Sequence, residues 1–306
     1  MKILVIDSHK GVRNPSSNRK SLHWKLAELI STELGGDFIW SYRGVNDNIK
    51  EGYDKIVFVH ASHYSYTDYK WISKSPEAEL YYIINDYDLG EPRTLWTACK
   101  EGRKYTVMAG FSPEPSKIVT KYTKEWYQTE LNSLCFIEPL KDERNFLFPP
   151  SGCVYWGNYR KKRLPYFLKY LNHKDVTLST HKKNWGKFYR NGINVKNSRS
   201  RMDWTKQGLF DFKYSLYIED TVSHKFYCTL ACRFYESLIY GVVPLFDKSC
   251  LDTLEKSELK GYEDYLINSP KDIKRKEGLT NKREWIEFSR KRKNSTLKKI
   301  RKIILS

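Results

Sequence analysis

The feature that most constrains this chain is a repeated alternation: short apolar runs of strand length, each followed by a longer stretch with helical spacing. That pattern is the mark of βαβ units, and so of parallel sheets covered by helices. In the first half the apolar runs fall at residues 2–7, 37–40, 55–60, 80–85, 105–108 and 134–137, which predicts one α/β domain. Residues 17–34 have helical spacing, opened by the Asn14-Pro15-Ser16-Ser17 cluster and closed by Gly35-Gly36. The loop before that helix, residues 8–16, leaves the carboxyl end of the first strand, the edge where open α/β sheets bind ligands.

Residues 145–152 (NFLFPPSG) interrupt the pattern with Pro149-Pro150 and a glycine and read as a linker. Beyond it a second, smaller α/β unit is expected, with strands at 153–156, 176–179, 214–219 and 242–246 and helices near 165–171 and 224–240. Residues 281–303 place Trp285, Phe288, Leu297 and Ile300 at helical spacing among lysines, with Ile304 next in register, which predicts basic amphipathic helix. The expected organisation is a domain at 1–148, a domain at 149–280, and a basic helix at 281–306 that packs back on the first domain.

Composition narrows the function classes. No run approaches the roughly 18 consecutive apolar residues of a membrane span, and MKILVIDSHK runs straight into a strand pattern. A soluble monomer in the cytoplasm, a host's cytoplasm if the chain is phage-encoded, with no membrane partner, is therefore expected. Six scattered cysteines without C-x-x-C spacing read as reduced core thiols. The formal charge of +18 is uneven: residues 158–213 carry 15 Lys/Arg against 3 Asp/Glu, residues 271–302 carry 14 against 4, and the remainder sums to −4. Two concentrated cationic segments suit a polyanion, although a generally basic, lysine-rich surface gives the same count.

Three constellations carry chemistry. After the run at 153–156 comes Gly157-Asn158-Tyr159-Arg160-Lys161-Lys162-Arg163, then Leu164-Pro165. Glycine lets an anion approach the backbone, free N–H groups and a helix start favour negative charge, and arginine grips phosphate in bidentate fashion. A pyrophosphate suits this loop, and so does a plain solvated basic turn. On the helix expected at 224–240, Thr229, Arg233 and Glu236 are spaced to share one face, with Leu230, Phe234 and Leu238 on another. A glutamate there can accept both ribose hydroxyls and an arginine one turn earlier can reach a phosphate; an ordinary surface i, i+3 pair is the alternative. Asn85-Asp86-Tyr87-Asp88 ends an apolar strand, where a carboxylate faces the ligand crevice as a candidate general base or serves as a simple cap. His60 and His63, after the third strand, are weaker candidates for base or substrate contact.

In this order the segments resemble the T-even-phage DNA β-glucosyltransferase family. The resemblance rests on MKILVID, Pro15-Ser16-Ser17, LYYIIND ending at Asp86, VYWGNYR ending at Arg160, and CTLACRFYESLIYGVVPLF ending at Phe246. It implies α/β architecture of the GT-B kind, two Rossmann-like domains whose parallel sheets face a central cleft. It also implies a UDP-sugar donor, UDP-glucose foremost, with Mg2+ or Mn2+ aiding at the diphosphate. Gly157, Asn158 and Arg160 would meet the diphosphate, Arg233 the phosphates, Glu236 the ribose, and Thr229 their shared face. The family's second loop arginine falls at Leu164, and Arg163 stands next to it as a replacement. Asp86 takes the place of the catalytic base, implying an inverting transfer to the hydroxymethyl group of a 5-hydroxymethyl-pyrimidine in double-stranded DNA, with the base flipped out. On the acceptor side the chain departs from the pattern: Ser17, Asn18 and Arg19 occupy the region of a family glutamate, and Asp88 replaces an arginine. Two other readings of the residues stand beside this one. They are a GT-B transferase acting on a surface glycan, lipid or protein, and a non-catalytic nucleic-acid-binding protein on a transferase scaffold.

Overall fold

Apolar runs with β-branched and aromatic side chains become buried parallel strands here, in two separate six-stranded sheets. The computed structural model describes residues 1–7, 24–40, 52–59, 74–84, 102–113, 121–140, 150–194, 198–200, 209–227, 229–280 and 283–306. The chain divides into two compact units: Met1–Cys135 with Lys291–Ser306, and Phe136–Arg290.

In the first unit, β1 (Ile3–Asp7), β2 (Asp37–Trp40), β3 (Lys55–Val59), β4 (Glu79–Ile84), β5 (Tyr105–Ala109) and β6 (Thr123–Gln128) lie in the order β2-β1-β3-β4-β5-β6. All pairings are parallel. Helix α1 (Trp24–Leu34) lays Leu26, Ala27, Ile30 and Leu34 against Ile3, Val5, Val57, Val59 and Ile83. It stops where the glycine pair predicts: Gly35 adopts φ +64°, and the Gly36 N–H bonds back to the Ser31 carbonyl at 3.0 Å.

The expected strand at 134–137 is instead a buried 3-10 turn, Leu131–Cys135, and β6 takes the last place in the sheet. The physical reason lies in position. An edge strand is half-solvated, so TKEWYQ has no continuous apolar run, whereas Leu131 and Leu134 are apolar because they cover the sheet. Lys55 is buried in a strand because its ammonium reaches Glu79 at 3.3 Å and the Ile304 carbonyl.

In the second unit, β7 (Cys153–Trp156), β8 (Val176–Thr180), β9 (Ser198–Ser200), β10 (Tyr214–Tyr217), β11 (Val243–Asp247) and β12 (Leu266–Ile267) are ordered β12-β11-β10-β7-β8-β9, again all parallel. The chain steps outward from β7 through β8 to β9, then returns to the other side of β7 with β10. Direction therefore reverses between β7 and β10, the topological switch point at which open α/β sheets open a crevice for ligands. Helices α2 (Leu164–Tyr170), α3 (Lys182–Arg190), α4 (Thr221–Phe226), α5 (Cys232–Ile239), α6 (Leu251–Lys256), α7 (Asp272–Arg275) and α8 (Arg283–Leu305) complete the described elements used below.

The single helix expected at 224–240 is two, α4 and α5. Ala231 caps α5 in extended conformation (ψ 158°), and its N–H bonds to the Tyr217 hydroxyl at 2.7 Å, so the chain leaves helical geometry between them. Helix α8 is divided between the units. Its start carries Trp285, 1% exposed, into an aromatic seam with Phe234, Phe246 and Tyr265. Its end delivers Leu297, Ile300 and Ile304 to the core of the first unit.

Candidate functional site

The Gly157–Arg163 loop, the candidate donor loop, starts where β7 ends. Trp156 pairs in register with Ser179 of β8, and Gly157 turns the chain at φ +154°. A Cβ at Gly157 would stand 3.2 Å from the Tyr155 hydroxyl, so close passage over that phenol requires glycine. Its N–H, however, donates to the Ser179 carbonyl at 3.1 Å and is engaged within the fold. Asn158 is exposed, and its side-chain oxygen accepts from Asn184 of α3 at 2.9 Å. Arg160 is half-buried, and its carbonyl accepts the Arg163 N–H at 3.0 Å.

Arg163, expected as a second loop cation for phosphate, is turned inward. It is 5% exposed, its Nε lies 3.3 Å from Asp220, and another of its guanidinium nitrogens bonds Glu219. Arg233, in the first turn of α5, donates to the Ile218 carbonyl at 3.0 Å and lies 3.5 Å from Glu219. Its guanidinium stands 5.3 Å from the Tyr155 ring centre and 5.9 Å from that of Tyr217. It therefore sits at a helix N-terminus that carries no acidic residue in its first turn, beside the sheet's switch point. Glu236 follows one turn on, 7% exposed, with one oxygen accepting from the Trp156 indole N–H at 2.9 Å. That bond ties the helix to the strand that launches the donor loop.

Thr229 precedes the Ala231 cap, so it does not share a helix face with Arg233 and Glu236. It is nevertheless 7% exposed, and its hydroxyl is buried without a hydrogen-bond partner. Unpartnered buried oxygens also occur at Tyr155 and Ser179. Ordinary protein interiors leave few such groups, each costing about 1–3 kcal/mol.

Electrostatics separate the two buried tyrosines. Burial raises the Tyr155 hydroxyl, but the guanidiniums of Arg233 and Arg163 outweigh it and bring the group below the ordinary tyrosine value. Burial, reinforced by Glu219 and Cys250, holds Tyr217 well above that value. For both arginines burial opposes the charge and Glu219 overcomes it, so each stays protonated with raised affinity. The buried set Arg163, Arg233, Glu219 and Asp220 is thus self-neutralising, and the half-buried Arg160 adds cationic charge at the donor loop.

Glu219 and Asp220 escaped the sequence reading of site residues. The signal was present: YSLYIED is an apolar strand run ending in two carboxylates, the same pattern as LYYIIND. The acceptor-side candidates Ser17, Asn18, Arg19, His60, His63, Asp86 and Asp88 lie outside the described residues. They follow β1, β3 and β4, neighbouring strands of the first sheet. Among the described residues no three His, Cys, Asp or Glu side chains converge to hold a metal ion, so no residue is assigned to a cation. Among them, too, no helix is long and apolar enough to cross a membrane, and Cys135, Cys153, Cys232 and Cys250 are free thiols.

Two α/β units, each built on a parallel six-stranded sheet, define the α/β architecture of the GT-B fold. Solved structures of a phage T4 protein are among those it matches. Against T4 phage BGT in complex with UDP and Mn2+ the TM-score is 0.65 at 15% identity, covering 98% of this chain and 96% of that one. A mutant T4 phage BGT bound to UDP-glucose gives 0.63 at 13% identity, covering 99% and 94%. The DNA-modifying enzyme β-glucosyltransferase, studied with and without uridine diphosphoglucose, gives 0.63 at 14%, again covering 99% and 94%. No family model and no curated protein sequence matches the chain. The likeness is therefore one of fold, along nearly the whole length of both chains.

Proposed function

We propose that this protein is a UDP-sugar-dependent glycosyltransferase that moves a sugar, glucose foremost, to the hydroxymethyl group of a 5-hydroxymethyl-pyrimidine in double-stranded DNA. One observation carries the reading. The Gly157–Arg160 loop follows β7, Arg233 stands at the start of α5, after β10, the neighbouring strand across the switch point, and Glu236 one turn later bonds Trp156 at the end of β7. They stand in a chain whose fold follows a UDP-glucose-binding protein from end to end. Arg160 and Arg233 supply positive charge for a diphosphate, and Glu236, oriented by Trp156, accepts ribose hydroxyls. Arg163 serves differently from the sequence expectation. It neutralises Glu219 and Asp220, which would otherwise repel the diphosphate from below.

The chemistry then runs in one displacement. The hydroxymethyl oxygen attacks the anomeric carbon as Asp86 takes its proton, the bond from that carbon to the diphosphate oxygen breaks, and UDP leaves with the electron pair. Attack opposite the leaving group inverts the anomeric centre. Extruding the base from the stack costs a few kcal/mol. A divalent cation, if used, meets the diphosphate oxygens.

A panel of UDP-sugars against DNA containing hydroxymethylcytosine or hydroxymethyluracil, read by mass, tests the whole reading. One sugar adduct on one modified base is the expected result. Transfer to glycan or lipid acceptors but never to DNA sinks the acceptor assignment, and absence of UDP binding at millimolar nucleotide sinks the donor site.

A further inference from the structure

The two cationic segments are not equivalent once folded. Helix α8 carries many cations, but several are engaged: Arg290 with Glu138 and Glu287, Arg292 with Glu130 at 3.1 Å, Arg301 with Glu33 at 3.5 Å, and Lys299 with the Gln128 carbonyl at 2.6 Å. The carboxylates gathered along it dilute its field. Helix α3, KKNWGKFYR, contains no acidic residue. Its Asn184 and Phe188 are buried, and Phe188 packs on Tyr159 and Phe167. The rest of its circumference presents Lys182, Lys183, Lys187, Tyr189 and Arg190, all exposed, with Tyr189 at 71%. None of these four cations forms an ion pair with a described residue; Arg190 donates only to the Gly186 carbonyl, at 3.1 Å.

We infer that this face of α3 is the docking surface for the phosphate backbone of the DNA duplex, an inference that rests on the DNA acceptor proposed above. Lys182 to Arg190 span about 12 Å of helix, a length over which a duplex presents about seven phosphate charges. Uncommitted lysines give charge, and an exposed tyrosine adds a rigid, hydroxyl-bearing contact suited to phosphate and sugar. Asn184 on the same helix bonds Asn158, so the surface begins beside the donor loop.

The test compares two variants of equal charge change in the full-length protein: Lys182→Gln/Lys183→Gln/Lys187→Gln on α3 and Lys291→Gln/Lys298→Gln/Lys302→Gln on α8. Binding of unmodified duplex DNA is followed by fluorescence anisotropy from 50 to 300 mM salt, roughly the range in which counterion release dominates. The α3 variant should lose about a hundredfold in affinity near physiological salt and shift the log–log salt slope by about 2 to 3 toward zero. The α8 variant should change that slope by less than about 1. Equal losses in both variants, or wild-type binding by the α3 variant, overturn the inference. So does a wild-type protein that binds phosphatidylserine vesicles but not duplex. UDP calorimetry on the same preparations separates the two proposals. UDP binding without any duplex binding overturns this surface alone, and duplex binding through α3 without UDP binding overturns the transferase reading while leaving the surface.

Discussion

At the residue scale the proposal gives Arg163 and Arg233 different work. Arg233→Ala removes a charge-assisted phosphate contact worth about 1.5–3 kcal/mol, so UDP affinity is expected to fall about 10- to 100-fold with a small change in melting temperature. Arg163→Ala leaves Asp220 without its cation and Glu219 with Arg233 alone, both carboxylates at most 4% exposed. Loss of about 3–5 kcal/mol of stability is expected there, visible in denaturant melts. If the two variants exchange phenotypes, the roles assigned to them are wrong.

His224 supplies a pH test. Burial lowers its pKa, against the opposing pull of Glu219, Asp220 and Asp252 and with the help of Arg163. Its Nδ1 lies 2.7 Å from the Thr253 hydroxyl. The unfolded chain therefore binds this proton at higher pH than the folded one, so stability falls as pH drops below about 6.5 and levels off once the folded group is protonated. His224→Gln should flatten that part of the stability profile. An unchanged profile between about pH 6.5 and 5 would remove His224 as its source.

At the element scale the donor loop is built around one glycine. Gly157→Ala places a Cβ 3.2 Å from the Tyr155 hydroxyl at φ +154° and should cost about 1 kcal/mol or more. Because Tyr155 lies between Arg163 and Arg233, UDP affinity should fall with it. Calorimetry on the variant at a temperature where it remains folded checks this. Local reading of the elements worked where one segment carries its own instruction. The run 153–156 and the Gly35 stop both fell where expected, since burial on both faces and a left-handed residue are local demands. It failed for β6 and for the α4–α5 break. An edge strand's polarity and a cap supplied by Tyr217, from 14 residues earlier, are set by neighbours in space.

At the scale of the whole molecule α8 ties its two ends to different cores. Deleting Lys291–Ser306 removes Leu297, Ile300 and Ile304 from the first unit, roughly 1.5–3 kcal/mol each. It also leaves Lys55 buried without the Ile304 carbonyl. The shortened chain should keep the second unit protected from protease while the first becomes cleavable; equal protection of both would refute this role of the helix.

By itself the sequence determined the class of architecture and the approximate strands, and it singled out Gly157, Arg160, Arg233 and Glu236, on which the proposed donor half rests. These follow from local periodicity and from residue types whose chemistry does not depend on partners. The tertiary structure alone decided that Arg163 pairs with Glu219 and Asp220, and that Arg233 stands at the start of α5 beside Ile218. The deciding partners are remote in the chain: Asp220 lies 57 residues from Arg163, and Glu236 lies 80 from Trp156. Only the return of β10 to the side of β7 brings such segments together, because a parallel sheet orders its strands by crossovers and not by sequence. The same holds for charge. Two segments of similar net charge came to differ only when acids of other elements were folded against α8, while the cations of α3 form no ion pair with a described residue.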